Sequence, residues 1–196
     1  VLFPNDVTVA IPAHQARLNN GMLLRAMQSV TAQTWSPAAV SVAVDTGREG
    51  AAATRQRALE GVLTPWVAFL DSDDEFLPQH LERLIGHLEE TGADFCYSWF
   101  EGTNGFDPFP TNFGKPFDPA NPVETTSTVV VRTALAQEAR IEPLPERLHN
   151  GGEDFRLVLR CIELGAKIVH LPLVTWRWNI HSGNTSGLPD RGDAAP

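Results

Sequence analysis

The sequence predicts an α/β fold: a mixed, mostly parallel sheet with helices on both faces and a smaller second sheet region toward its C-terminal half. Three observations carry this. Strand-like and helix-like periodicities alternate three times over the first 92 residues, the pattern of parallel strands joined by crossover helices. The first three apolar runs end in Pro12, Asp45 and Asp71, which gathers polar groups at one sheet edge. Beyond residue 92 the style changes to longer strand-like runs, with one amphipathic helix among them.

Val7, Val9 and Ile11 alternate and then meet Pro12, predicting a strand that gives way to a loop. Leu23, Met27 and Val30 recur at helical spacing. The run VSVAVD forms a second strand to Asp45, and AAATRQRALEGVL follows as a helix burying Leu59 and Leu63. A third strand, WVAFL, leads into the acids DSDDE. Pro78 suits a helix start, and Leu77, Leu81, Leu84, Ile85 and Leu88 share one face up to Gly92. ADFCYSWF and TSTVVVR read as strands on either side of a loop rich in Pro, Gly and Phe, residues 102–122. EDFRLVLRCIELG is a helix with Phe155, Val158, Leu159 and Ile162 on one side and Gly165 at its end, followed by the strand AKIVHLP.

The chain has 196 residues, 42% hydrophobic and 20% charged, enough to bury one substantial core. One domain is expected over 1–187, with a mobile tail at 188–196. A net charge of -9 without a basic stripe excludes binding to nucleic acid phosphates through bulk charge. Cys96 and Cys161 have no metal-ligand spacing, so both are expected as free buried thiols in a reducing compartment. No run approaches the ~18 apolar residues of a spanning helix, and no basic leader precedes an apolar run. These features predict a soluble, cytoplasmic protein with no membrane span. An RGD triplet at 191–193 and a sequon at Asn184 are short enough to arise by chance.

The acids after the third strand are the strongest chemical signal. Asp71 and Asp73, one residue apart in an extended loop, can face one ligand and suit a hard divalent cation such as Mg2+ or Mn2+, which usually brings phosphates with it. Three other readings compete. Asp74 and Glu75 can simply favour the start of the next helix. A calcium loop would use Asp71, Asp73, Glu75 and Glu82, but Phe76 stands where that pattern requires Gly. An aspartate-nucleophile phosphatase would place its DxD strand near the N-terminus and would not end the motif in Glu75.

Taken in order, VTVAIPAH, VAVD, GAAATRQRAL, WVAFLDSDDEFLPQHLERL, TSTVVVR, GGEDFRLVLRCIELG and VTWRWNIHSGNTS resemble the catalytic domain of family 2 glycosyltransferases, which have the GT-A fold. The resemblance covers roughly residues 5–187 and implies a nucleotide-binding half over about 1–98 and an acceptor-side half over about 99–187. It implies transfer of one sugar from a nucleotide-diphosphate donor of UDP or GDP type to an acceptor hydroxyl, with inversion and with Mn2+ or Mg2+ at the diphosphate. The acceptor could be a glycan, a protein, a nucleic acid or a small molecule. The resemblance further implies that Pro12, Ala13 and His14 meet the nucleotide base and that Asp45 reads the base or ribose. Arg55 would lie near base and phosphate. Asp71 and Ser72 would reach the ribose or a metal-bound water, and Asp73 would hold the metal together with Asp71. His181 would reach the metal or diphosphate, and Arg177 the phosphates. Asp154 resembles the general base, with Glu153 orienting it or touching the acceptor. Each has a bland counterpart: Glu153 and Asp154 can be helix-capping acids, His181 a surface imidazole, and Arg55 a solvent-facing helix charge.

The sequence departs from that family in places. Gln56 replaces a usual Asn, Thr46 stands where many members carry a second Asp, and the segment between Asp45 and Arg55 is short. Trp99, among the aromatics near the acceptor side, is a candidate for stacking on a sugar. Two other readings remain open: a retaining transferase on the same fold, and a nucleotide-sugar binding module without catalysis.

Overall fold

A computed structural model describes residues 6–122, 126–142, 152–181 and 184. The expected tail at 188–196, the RGD triplet and the last two residues of the sequon lie outside the described residues. The elements are β1 (Val7–His14), α1 (Gln15–Asn19), α2 (Met22–Thr31), β2 (Ala39–Asp45), α3 (Ala51–Glu60), β3 (Trp66–Phe69), β4 (Glu75–Phe76) and α4 (His80–Thr91). They continue with β5 (Phe95–Gly102), β6 (Val129–Arg132), α5 (Thr133–Ala139), α6 (Glu153–Glu163) and β7 (Ile168–Trp178).

The strands form one seven-stranded sheet in the order β2-β1-β3-β6-β5-β7-β4. β1 runs parallel to β2 and β3, and β5 parallel to β7, whereas β3–β6, β5–β6 and β4–β7 are antiparallel. The sheet is therefore mixed as expected, with parallel and antiparallel pairings in balance rather than parallel ones dominating. The strands expected as a small second sheet join the same sheet, because β6 inserts between β3 and β5 and zips the two halves together. Fully buried Phe69, Phe95, Ile11, Leu59 and Leu81 lie in its core, each side chain contributing about 1.5–3 kcal/mol by leaving water.

Several local expectations are corrected by the packing. β1 does not stop at Pro12. Alternate residues of a strand address the same neighbour, and Ala10 addresses β3 by accepting the Leu70 N–H at 3.1 Å. Pro12 thus turns its missing N–H toward a stretch where pairing with β3 has already ended at Ala10–Phe69, so no ladder bond is lost. In α2 the core is reached by Leu23, Ala26 and Val30, while Met27 is 39% exposed. α3 ends at Glu60, one residue before Gly61, so Leu63 lies off the helix at 96% exposure and Val62 takes the buried place. In α6 the buried apolar side chains are Leu157, Val158 and Cys161, with Phe155, Leu159 and Ile162 half-buried. β7 continues past Pro172 to Trp178, because its register with β5 slips between Tyr97–His170 and Trp99–Val174 and leaves the proline in the irregularity.

Other expectations hold. The Leu81, Leu84, Ile85 and Leu88 face of α4 is buried, and the helix stops at Gly92, whose φ of 61° suits glycine. Cys96 and Cys161 are free and buried, and burial pushes both thiols up to about 12. No described helix is long and apolar enough to cross a membrane.

Candidate active site

The acidic turn follows β3 directly, and its first member is held at both oxygens. Asp71 Oδ1 accepts from Arg55 Nη2 at 2.5 Å and Oδ2 from Ser127 Oγ at 3.0 Å. Arg55 comes from the second turn of α3 and is 5% exposed. Its other terminal nitrogen, Nη1, donates to Glu153 Oε1 at the start of α6. One guanidinium therefore ties the end of β3 to the start of α6, across 98 residues of sequence. Burial disfavours its charge, but the fields of Asp71, Glu153 and Asp154 outweigh burial and keep it protonated. Its Nε is buried with no hydrogen-bond partner among the described residues.

Asp154 sits beside this clamp on the first turn of α6, entered through Gly152 at φ 85°, a left-handed conformation that glycine adopts without strain. Its carboxyl is raised to about 6, first by burial and then by the Glu153 charge, against the opposing pull of Arg55 and of the Phe155 N–H; the Asp71 charge raises it further. Keeping that carboxylate ionised at neutral pH thus costs the fold on the order of 3 kcal/mol.

Asp73 faces a different set. Its Oδ2 lies 2.9 Å from His181 Nε2 and 3.0 Å from Arg17 Nη2. Asn179 braces the turn, its side-chain amide donating to the Asp73 carbonyl at 2.7 Å and its backbone N–H to Asp74 Oδ1 at 2.9 Å. Asp74 is buried, and burial, followed by its acidic neighbours Asp71 and Asp73, holds its carboxyl well above the usual range. Asp74 is thus structural, matching neither a ligand role nor helix capping.

A divalent cation with ~2.1 Å bonds separates adjacent ligands by about 3.0 Å. The Asp73–His181 spacing matches that, so the two side chains can share a metal. Asp71, with both oxygens engaged, does not converge with them, and among the described residues no three His, Cys, Asp or Glu side chains form a metal-sized group. The fit is to an ion held by two protein ligands, with substrate oxygens and water completing its shell.

At the other end of the edge, β1 and β2 finish side by side, with His14 in register with Asp45. A cleft of about 310 Å³ there is lined by His14, Gln15, Asn19, Asp45, Thr46 and Arg48. Pro12 and Ala13 are buried just behind it. Asp45 Oδ1 accepts the N–H groups of Gly47 and Glu49, at 3.1 and 3.0 Å, and Oδ2 that of Gly50 at 3.0 Å. Burial raises its carboxyl, but the N–H groups of Glu49, Gly50, Gly47 and Arg48 outweigh it and bring it below the usual value.

Of the residues singled out in sequence, Arg55, Asp71, Glu153 and Asp154 are brought together, Asp73 meets His181, and Ser72 is buried inside the turn. Arg177 is placed apart: its guanidinium pairs with Glu101 at 2.7 Å and Glu75 at 3.7 Å on the β4–β7 edge. Trp99 is 3% exposed, bonded through Nε1 to Asp107 and stacked on Phe100, so it is core and not a sugar platform. Gln56 accepts the Ile141 N–H, a structural task. Arg17, Arg48, Ser127 and Asn179 escaped sequence reasoning. Their roles arise from contacts between distant segments, and only Asn179, two residues from Arg177 on a strand end, carried even a weak local signal.

Residues 38–133 match the family model described as glycosyl transferase family 2. None of the curated proteins matches the chain. Among solved structures, TarS of S. aureus, residues 1–349 in complex with UDP-GlcNAc, superposes with a TM-score of 0.76 at 17% identity, covering 92% of this chain and 60% of that one. The same TarS portion in complex with UDP gives 0.71 at 18% identity, covering 89% and 60%. Longer TarS gives 0.68 at 17%, covering 89% of this chain and 37% of that one. The likeness establishes the GT-A fold, and the chain spans about 60% of the length of the TarS portion it matches.

Proposed function

We propose that this chain, whose residues 38–133 belong to glycosyl transferase family 2, transfers one sugar from a nucleotide-diphosphate donor to an acceptor hydroxyl with inversion. The observation that carries the reading is the Arg55 clamp, which holds Asp154 beside the acidic turn that follows β3. A donor-side carboxylate and an acceptor-side base are thereby fixed on one rigid frame. That TarS structures hold UDP-GlcNAc and UDP supports a UDP-sugar as the first donor to test.

In this reading the base lies in the cleft at the ends of β1 and β2, and the diphosphate lies toward Asp73, His181 and Arg17. Asp73 and His181 are the residues that would hold Mn2+ or Mg2+, and such an ion would supply positive charge to the departing diphosphate. Asp71, anchored by Arg55 and Ser127, keeps lone pairs available for the ribose. Asp154 removes the proton of the acceptor hydroxyl as it attacks, and Glu153, locked to Arg55, is a positioning residue that holds the first turn of α6. A carboxyl titrating near 6 is a stronger base than an ordinary aspartate, yet is still mostly ionised at pH 7.

The reading is tested by following product formation from UDP-sugars by NMR, which reports the anomeric configuration. Inverted product supports it, and retained configuration overturns the assignment of Asp154 as base. The rate should also fall as pH drops through about 6. For the metal, Asp73→Ala should reduce UDP affinity in Mn2+ at least 10-fold, toward the metal-free value, by calorimetric titration. Equal wild-type affinity with and without Mn2+ would remove the ion from the scheme.

A further inference from the structure

The nucleotide-sugar reading places a base in the cleft at the ends of β1 and β2, and the side chains there are specific about how it could be read. Asp45, the acid at the strand end, has both oxygens already committed to backbone N–H groups of its own loop. That network bends residues 46–50 into a tight turn whose apex, Arg48, has φ 59°. A non-glycine residue rarely holds such a conformation, and Arg48 does so as one of the residues that line the cleft. No carboxylate pairs with Arg48 among the described residues, whereas nearby Arg57 is fixed to Glu49 and to the Val44 carbonyl.

We propose that Arg48 reads the donor's nucleobase through the carbonyl at C4 of uracil, and that Asp45 is the positioning residue that aims it, an inference resting on the nucleotide-sugar reading above. A guanidinium donates hydrogen bonds and accepts none, so the base must present an acceptor edge. Uracil and cytosine share the carbonyl at C2 and differ at C4, where uracil presents a carbonyl and cytosine an amino group that would face Arg48 donor to donor. The amides of Gln15 and Asn19, in the same cleft, supply the oxygen that the uracil ring N–H requires. The phosphates are not the target, because Arg17, Asp73 and His181 lie beyond β1, on the side of β3. The chain should therefore select UDP over CDP.

The test is calorimetric titration of UDP and CDP, with Mn2+, against the wild type, Arg48→Gly, Asp45→Asn and the double variant. The wild type should prefer UDP by about 10-fold or more, the worth of one charge-assisted hydrogen bond. Arg48→Gly should lose about that factor for UDP and little for CDP, while its melting temperature holds or rises, since glycine accepts φ 59° without strain. Asp45→Asn should lower the UDP-to-CDP ratio toward that of Arg48→Gly, and the double variant should be no less selective than Arg48→Gly alone. An unchanged ratio in Arg48→Gly overturns the proposal, whether both affinities fall together, as for a phosphate contact, or neither does. Additive losses in the double variant overturn the positioning role of Asp45. A wild type that binds neither nucleotide overturns the nucleotide-sugar reading itself, and a wild type that binds both equally overturns only the carbonyl contact.

Discussion

Replacing Asp154 by Asn should lower the transfer rate by about 10³-fold, in the middle of the range for a lost general base, while leaving UDP affinity within a factor of two or so of wild type. The amide is isosteric and keeps the contact with the Phe155 N–H available through its carbonyl, so loss of rate would reflect lost basicity and not lost shape. The same substitution should stabilise the fold. The Asp154 carboxyl is raised by burial and by Glu153, so the native state holds its proton more tightly than the unfolded chain does. That proton-linked stability is fully present below the unfolded value near 4 and is lost as pH rises through about 6. At pH 7 the wild type therefore carries a penalty that the amide does not, and denaturant unfolding should show Asp154→Asn more stable by up to about 3 kcal/mol. Below about pH 4 the difference should vanish. A slower, more stable enzyme is the signature of a carboxylate retained for chemistry. A variant as active as wild type would remove Asp154 as the base, and one equally stable at pH 7 would mean that its burial is cheaper than the fold implies.

The sequence made the strands, α4 and the acidic turn legible, because each is set by local periodicity and by residues that punctuate it. The family resemblance named the Asp71–Asp73 motif and the Glu153–Asp154 pair, and residues 38–133 match the model of that same family. Misreadings arose where a tertiary neighbour decides the outcome. Pro12 looks like a strand end in sequence, which does not show that β3 stops short on that side. The spacing of Leu63 to Leu59 suggests a core residue, though the helix closes at Glu60 before the period can continue. Trp99 suits a core and a sugar contact equally in sequence, and burial alone separates the two. The partners of Arg55 were invisible for another reason. A cation binding two acids that are 16 and 98 residues away leaves no trace in any window of sequence.

That clamp supports the second large effect. Arg55→Met conserves much of the side chain's length and apolar stem but removes the only cation placed between Asp71 and Glu153 among the described residues. The two acids fare differently. Asp71 keeps Ser127 and partial access to water, with a side chain 29% exposed, whereas Glu153, with a side chain 9% exposed, is left as a carboxylate inside the protein. Breaking a buried pair by deleting one partner typically costs about 3–5 kcal/mol, most of it the desolvation of the charge left behind. Urea unfolding of Arg55→Met should show a loss of that order, and Glu153→Gln added to it should recover a substantial part, as coupled sites do. The rate should respond as well as the stability. Arg55 pulls the Asp154 carboxyl down, so its removal must push that group above its present value near 6 and move the acidic limb of the pH–rate profile to higher pH. An Arg55 that merely fastened α6 to β3 would lower the rate at every pH without moving the limb. A displaced limb together with partial rescue by Glu153→Gln would assign it both tasks, and a loss under about 1 kcal/mol with an unmoved limb would assign it neither.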